Sequence, residues 1–144
     1  MSYSVDVNVL LYASDTASPL HGAAKAFLES RALDTELFCL TWPTLLGYVR
    51  IATHPRIFVA PLSHDVAAGN VEALLALPTV RVVAETEEFW NVYRDVTGSL
   101  TVRGNLVPDA HLTALLRLHG VDRIYTNDRD FRKFDGIRSV NPFA

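Results

Sequence analysis

Three aspartates, Asp6, Asp109 and Asp128, are of a type and in positions suited to chemistry rather than packing. Asp6 interrupts the apolar run Val5-Asp6-Val7-Asn8-Val9-Leu10-Leu11, which reads as a first strand with the acid at or near its carboxyl end. Desolvating a carboxylate is expensive, so an acid in such a run needs a partner or a metal. Asp109 opens the helix beginning Pro108-Asp109-Ala110-His111-Leu112, where a capping role explains it equally well on its own. Asp128, in Thr126-Asn127-Asp128-Arg129-Asp130-Phe131, is on its own a turn residue. Together they point to one site. Mg²⁺ prefers carboxylate oxygens and several waters. An aspartate cluster holds one or two such ions, activates a water and neutralises phosphate charge. Without a cation, converging carboxylates repel and raise one another's pKa values.

The elements that must position these acids are readable from periodicity. Ser4–Val7 reads as a strand. Leu20, Ala23, Ala24, Phe27 and Leu28 form a helical stripe, with Pro19 in its first turn and Ser18 as cap. Glu36–Leu40 is a second strand. Trp42, Leu45, Leu46 and Val49 mark a helix that ends before His54-Pro55, and Asp65–Leu77 a third helix stopped at Pro78. Arg81–Val83 follows as a strand, then a helix through Phe89, Val92, Tyr93 and Val96. Leu112, Leu115 and Leu116 define the last helix, closed by Gly120. Arg123–Thr126 is a strand, and Ser139–Val140 a short final one. Strands separated by helices predict one domain over residues 1–144. Its expected fold is a three-layer α/β/α sandwich around a mainly parallel sheet. In such folds ligands bind outside the carboxyl ends of the strands. The three acids fall at those ends.

Composition narrows the chemistry. Cys39 is the sole cysteine, which excludes an intrachain disulfide and a cysteine-based zinc site. The five histidines form no His-Glu-x-x-His pattern, so any metal must take oxygen ligands. No apolar stretch reaches the roughly 20 residues of a membrane span, and no secretory leader is evident, so a cytoplasmic location is expected. The formal net charge of −3 neither supports nor excludes a nucleic-acid partner. Acids at a metal site themselves lower it, and 11 of the 13 basic residues are arginine, a side chain suited to phosphate.

Four segments, in order, carry a family resemblance. Val5-Asp6-Val7-Asn8-Val9-Leu10-Leu11-Tyr12-Ala13 resembles the first motif of PIN domains. The run from Trp42 to Phe58, containing Gly47-Tyr48-Val49-Arg50-Ile51, resembles a segment of VapC-type toxins. Arg103-Gly104-Asn105-Leu106-Val107-Pro108-Asp109-Ala110 is similar to the motif with the third acid, and Thr126-Asn127-Asp128-Arg129-Asp130-Phe131 to the Asp-x-Asp-Phe motif with the fourth. The resemblance covers essentially the whole chain. It implies a PIN-like fold and a Mg²⁺ (or Mn²⁺) site at Asp6, Asp109 and Asp128, with those acids catalytic. Asp130 is implied as an outer or water-positioning acid, and Asn8 and Thr126 as supports. The implied activity is endonucleolytic cleavage of RNA by water, by the toxin of a toxin–antitoxin pair. The implied partners are RNA, a small antitoxin and a second copy of the chain.

One position departs from the family. PIN domains commonly place a glutamate as second acid on the helix after the second strand, and Gly47 stands there. Loss of that carboxylate is expected to weaken metal affinity or leave its place to water. A second reading is therefore a PIN-like module that binds RNA or antitoxin with weakened catalysis. A receiver-like phosphoacceptor is a third, and it lacks the adjacent acids after the first strand and a suitably placed late lysine. Arg50, one turn past Gly47, and Arg103 are candidate phosphate-binding groups, as are Arg129, Arg132 and Lys133. A solvated face explains these basic residues as well. Phe27, Phe38, Trp42, Phe89 and Tyr93 are expected in the core. Tyr12, Tyr48 and Trp90 are expected at the surface, available to a subunit or antitoxin.

Overall fold

Alternating side chains give each strand of this protein two different faces to satisfy. A computed structural model describes residues 1–144. Five strands, β1 (Ser2–Val5), β2 (Leu37–Leu40), β3 (Val80–Val82), β4 (Arg123–Tyr125) and β5 (Arg138–Val140), form one sheet in the order β3-β2-β1-β4-β5. Every pairing is parallel, with Tyr3 opposite Phe38 on one side and Arg123 on the other. Tyr3, Val5, Phe38 and Leu40 point into one core; Cys39 and Ile124 point into the other.

Six helices cover these faces. Helices α1 (Val7–Ser14), α2 (His21–Arg31), α3 (Trp42–Ala52) and α4 (His64–Leu75) bury the first, larger core. Helices α5 (Phe89–Thr97) and α6 (Leu106–Leu118) cover the second face through Val96, Ala110, Ala114, Leu112 and Leu116. The expected three-layer sandwich is what forms. Local signals fix several helix ends. The Thr41 hydroxyl accepts from the Thr44 amide at 3.3 Å and Pro43 occupies the first turn of α3, while Ser63 caps α4 through Val66 at 3.2 Å. Gly120, at φ +70°, ends α6 in a left-handed turn: its amide reaches Arg117 O at 3.1 Å and Val121 N reaches Leu116 O at 2.9 Å.

The structure corrects several expectations, among them the start of α2, which begins at His21 after Leu20, beyond Ser18 and Pro19. The first strand stops at Val5, and Val7–Ser14 is helical, so Asp6 occupies the junction rather than the strand. An apolar run buried on all sides has no period by which to tell strand from helix. The last helix starts at Leu106, two residues before Pro108, which places the proline in the first turn, where its missing N–H costs nothing. Tyr48 is 3% exposed, its hydroxyl accepting from Asn70 Nδ2 at 2.9 Å and paired with Ser14 Oγ at 2.7 Å. Trp42, expected inside, is exposed at the start of α3.

Sheet order decides where a site can form. Connections through α1–α4 carry the chain from β1 outward to β3; through α5 and α6 it returns to the other side of β1. The direction of winding reverses between β1 and β4, and it is beyond the carboxyl ends of such a strand pair that sheets of this kind bind their ligands.

Candidate active site

Asp6 follows β1 directly and Asp128 lies three residues beyond β4, so both acids emerge at that reversal point. The register holds them there: Val5 pairs with Tyr125, and the Asp6 amide donates to Tyr125 O at 3.0 Å. Thr126 ties the two acids together. Its buried hydroxyl donates to Asp6 Oδ2 at 2.9 Å and accepts from the Asp128 amide at 2.9 Å. Asn8 Nδ2, in the first turn of α1, reaches the same Asp6 oxygen at 3.5 Å. Both proposed supports thus bond to Asp6.

Asp109 comes from the other layer, in the first turn of α6. It caps nothing; the N-cap position belongs to Asn105. Carboxylate oxygens of Asp109, Asp128 and Asp130 all lie within 4.8 Å of one another. Asp130, read from the sequence as an outer group, is placed among them by a tight turn in which its amide donates to Asp128 Oδ1 at 2.9 Å. That turn starts the 3₁₀ helix Arg129–Lys133, whose Lys133 Nζ sits 3.0 Å from Asp130 Oδ1. Asp6 stands outside the group of three, is 6% exposed, and acts on it through charge.

The electrostatics follow. Burial raises the Asp6 carboxyl above the usual carboxylate range, partly opposed by the Thr126 hydrogen bond and reinforced by the Asp128 charge. Asp109 is pushed up to about 7 by burial first, then by the negative charges of Asp128, Asp6 and Asp130. Four acids converge with one lysine near them, a repulsion that a hard cation removes. The donor set fits one, being all oxygen, with the three grouped acids half-buried and so within reach of solvent.

The other candidate positions lie on α3, in the loop before α6 and on α4. Gly47 faces the first residue of α1: a Cβ built on it would meet only Val7 Cγ2, at 3.8 Å. A side chain starting there would be in ordinary van der Waals contact with α1, the helix that Asp6 precedes. Arg50, in the last turn of α3, and Arg103, in the loop before α6, are exposed and have no carboxylate within 4 Å. Glu72, on the exposed side of α4, is not among the grouped acids. One link escaped the sequence reading: Asn127, between Thr126 and Asp128, donates to the Tyr12 hydroxyl at 3.4 Å. The two are 115 positions apart in the chain, so only the assembled fold reveals the pair.

The family model described as PIN domain matches residues 3–137. The chain is also 49% identical over 144 residues to ribonuclease VapC48 of Mycobacterium tuberculosis, covering 100% of this chain and 99% of that protein. This chain belongs to the PIN-domain family, in its VapC branch. Solved PIN-domain structures share the fold at much lower identity. VapC20 of M. tuberculosis, described as a sarcin-ricin loop cleaving toxin, superposes with TM-score 0.68 at 20% identity, over 94% of this chain and 98% of that one. VapBC2 of Rickettsia felis, solved with a DNA fragment from its promoter, gives TM-score 0.70 at 13% identity, over 98% of each chain. The PIN-domain assignment removes the receiver-like reading.

Proposed function

We propose that this chain is a Mg²⁺- or Mn²⁺-dependent endoribonuclease and the toxin of a toxin–antitoxin pair. The observation that carries this is the meeting of Asp109, Asp128 and Asp130 within 4.8 Å, beside buried Asp6, at the reversal point of the sheet. Its weight comes from the near-full-length likeness to a ribonuclease. Asp6, Asp109 and Asp128 hold the cation, and Asp130 either completes the shell or orients water. Thr126 and Asn8 fix the Asp6 carboxylate. A cation bound there supplies a Lewis acid that lowers the pKa of water and neutralises phosphate charge. Arg103 and Arg50 are the groups available to RNA phosphates.

An antitoxin partner is supported by the neighbouring VapBC2 structure. A homodimer and a cytoplasmic location complete the proposal, and no helix is long and apolar enough to cross a membrane. Gly47 favours one competing reading, a PIN domain that binds RNA or antitoxin with weakened catalysis. One experiment separates the two. Wild type and Asp6→Asn, free of antitoxin, are incubated with cellular RNA in Mg²⁺, Mn²⁺ or EDTA. The proposal expects discrete fragments from wild type alone, abolished by EDTA. Intact RNA throughout, with RNA binding retained, decides for the weakened module.

A further inference from the structure

Helix α5 carries a surface that the acid site does not use. Trp90, Tyr93, Arg94 and Thr97 follow one another at i, i+3, i+4 and i+7 and share one face. Trp90 is 61% exposed, so burial does not account for an indole there. Its ring stacks beside Tyr93, with centroids 5.4 Å apart and planes 23° from parallel. Tyr93 stacks in turn on Phe89 at 6.2 Å and 29°. Phe89 and Tyr93 pack against the core cluster of Val96, Ala110, Ala114 and Phe134. The row of rings is therefore anchored at one end and open to solvent at the other.

A shallow depression of about 260 Å³ lies along this face, closed by Gly98, Leu100 and Val102. Gly98 shapes that end: it stops α5 at φ +24°, where a Cβ would sit 3.2 Å from Asp95 O. Arg94 lines the depression, and Arg103 follows its last lining residue. Neither arginine has a carboxylate within 4 Å. The chain from Val102 to Asp109 is four loop steps and the first turn of α6, a span of roughly 20 Å at most. Helices α5 and α6, neighbours in one layer, also touch directly, Phe89 meeting the His111 ring edge-on at 5.3 Å.

We propose that the Trp90–Tyr93 face of α5 is a stacking site for an unpaired RNA base, with Arg94 and Arg103 on the adjoining phosphates. The proposal rests on the ribonuclease reading and adds a substrate subsite to it. A flat, anchored aromatic surface beside unpaired guanidinium groups matches a base with its phosphates. Every base has a π-face, so such a site selects for single-strandedness, not sequence. Stacking also provides affinity that a chain of net charge −3 does not draw from charge.

The test uses the full chain in EDTA, where cleavage does not compete. In a Trp42→Phe background Trp90 is the remaining tryptophan, and its fluorescence reports directly on stacking. Unstructured RNA oligonucleotides, with bases or abasic, are titrated in. Quenching by the base-bearing RNA alone is expected. Trp90→Ala should weaken binding about 5- to 100-fold, the range expected for one stacked base, and Trp90→Phe should restore most of it. Equal quenching by abasic RNA, or unchanged affinity in Trp90→Ala, overturns the stacking site and leaves the nuclease reading standing. A change in self-association alone, with RNA affinity intact, assigns the face to a protein contact and also overturns it. Wild type that neither binds RNA nor cleaves it with Mg²⁺ or Mn²⁺ removes the nuclease reading and this site with it.

Discussion

A proton on Asp109 and a cation among the aspartates relieve the same repulsion, and that equivalence has measurable consequences. The Asp109 carboxyl is pushed up to about 7 in the folded chain, against an ordinary value of 3.8. Below 3.8 both folded and unfolded chains hold the proton. Between 3.8 and 7 the folded chain keeps it and the unfolded chain releases it, so stability falls as pH rises through that window. Above 7 the loss is complete. Burial raises Asp6 in the same sense. Asp109→Asn should therefore be more stable than wild type at pH 8 in EDTA, by about 1 kcal/mol or more, a melting temperature some 2–4 °C higher. The difference should vanish near pH 4; equal melting curves at pH 8 would refute the account. Metal affinity carries the opposite face of this linkage. If Asp109 holds the proposed cation, binding must expel its proton, so the Mg²⁺ dissociation constant should rise about tenfold per unit below pH 7 and level off above pH 8. Calorimetry in buffers of different ionisation heat reads the released proton directly.

Sequence resolves the elements unevenly, and the reasons are local. Helices α3 and α4 are legible because the stripe Trp42, Leu45, Leu46 and Val49 has helical period and His54-Pro55 and Pro78 are strong stops, while the Thr41 and Ser63 caps emerge only in the structure. The junction at Asp6 is not, since Val5 on one side and Val7, Val9, Leu10 and Leu11 on the other are apolar and neither period stands out. The acids Asp6, Asp109 and Asp128 are visible as types at plausible strand ends. The closeness of Asp130 to them depends on a turn between Asp128 and Asp130 that residue identity alone does not set. Gly47 is the reverse case, its identity plain and its surroundings known only from packing. Because a Cβ there meets nothing closer than Val7 Cγ2 at 3.8 Å, Gly47→Glu should fold. Replacing a mid-helix glycine also adds roughly 0.5–1 kcal/mol of helix stability. Its carboxylate would leave α3 toward the first turn of α1, on the Asp6 side. We expect tighter Mg²⁺ binding, by several-fold, and faster RNA cleavage than wild type. A stable Gly47→Glu protein with unchanged metal affinity would show that this helix face does not reach the site.

For the whole molecule, the question is how RNA approaches a chain of net charge −3 whose proposed reactive centre is itself acidic. Screening makes the answer local. At 0.1 M salt a charge is felt over about 10 Å, so the overall −3 matters less than the charges beside the bound strand. The double variant Asp109→Asn with Asp128→Asn removes two carboxylates, changing the formal charge from −3 to −1. If RNA passes over the cluster, this variant in EDTA at pH 8 should bind a single-stranded oligonucleotide more tightly than metal-free wild type. The gain should shrink as salt is raised. A matched control, Asp65→Asn with Glu72→Gln on the exposed side of α4, makes the same change in total charge. It should leave affinity within about twofold if distance governs the effect. Equal gains from both pairs would mean that RNA senses only total charge, with no path across the acids. A gain confined to the Asp109 and Asp128 pair would place the strand within about one screening length of the carboxylates, close enough for a cation held there to act on its phosphates.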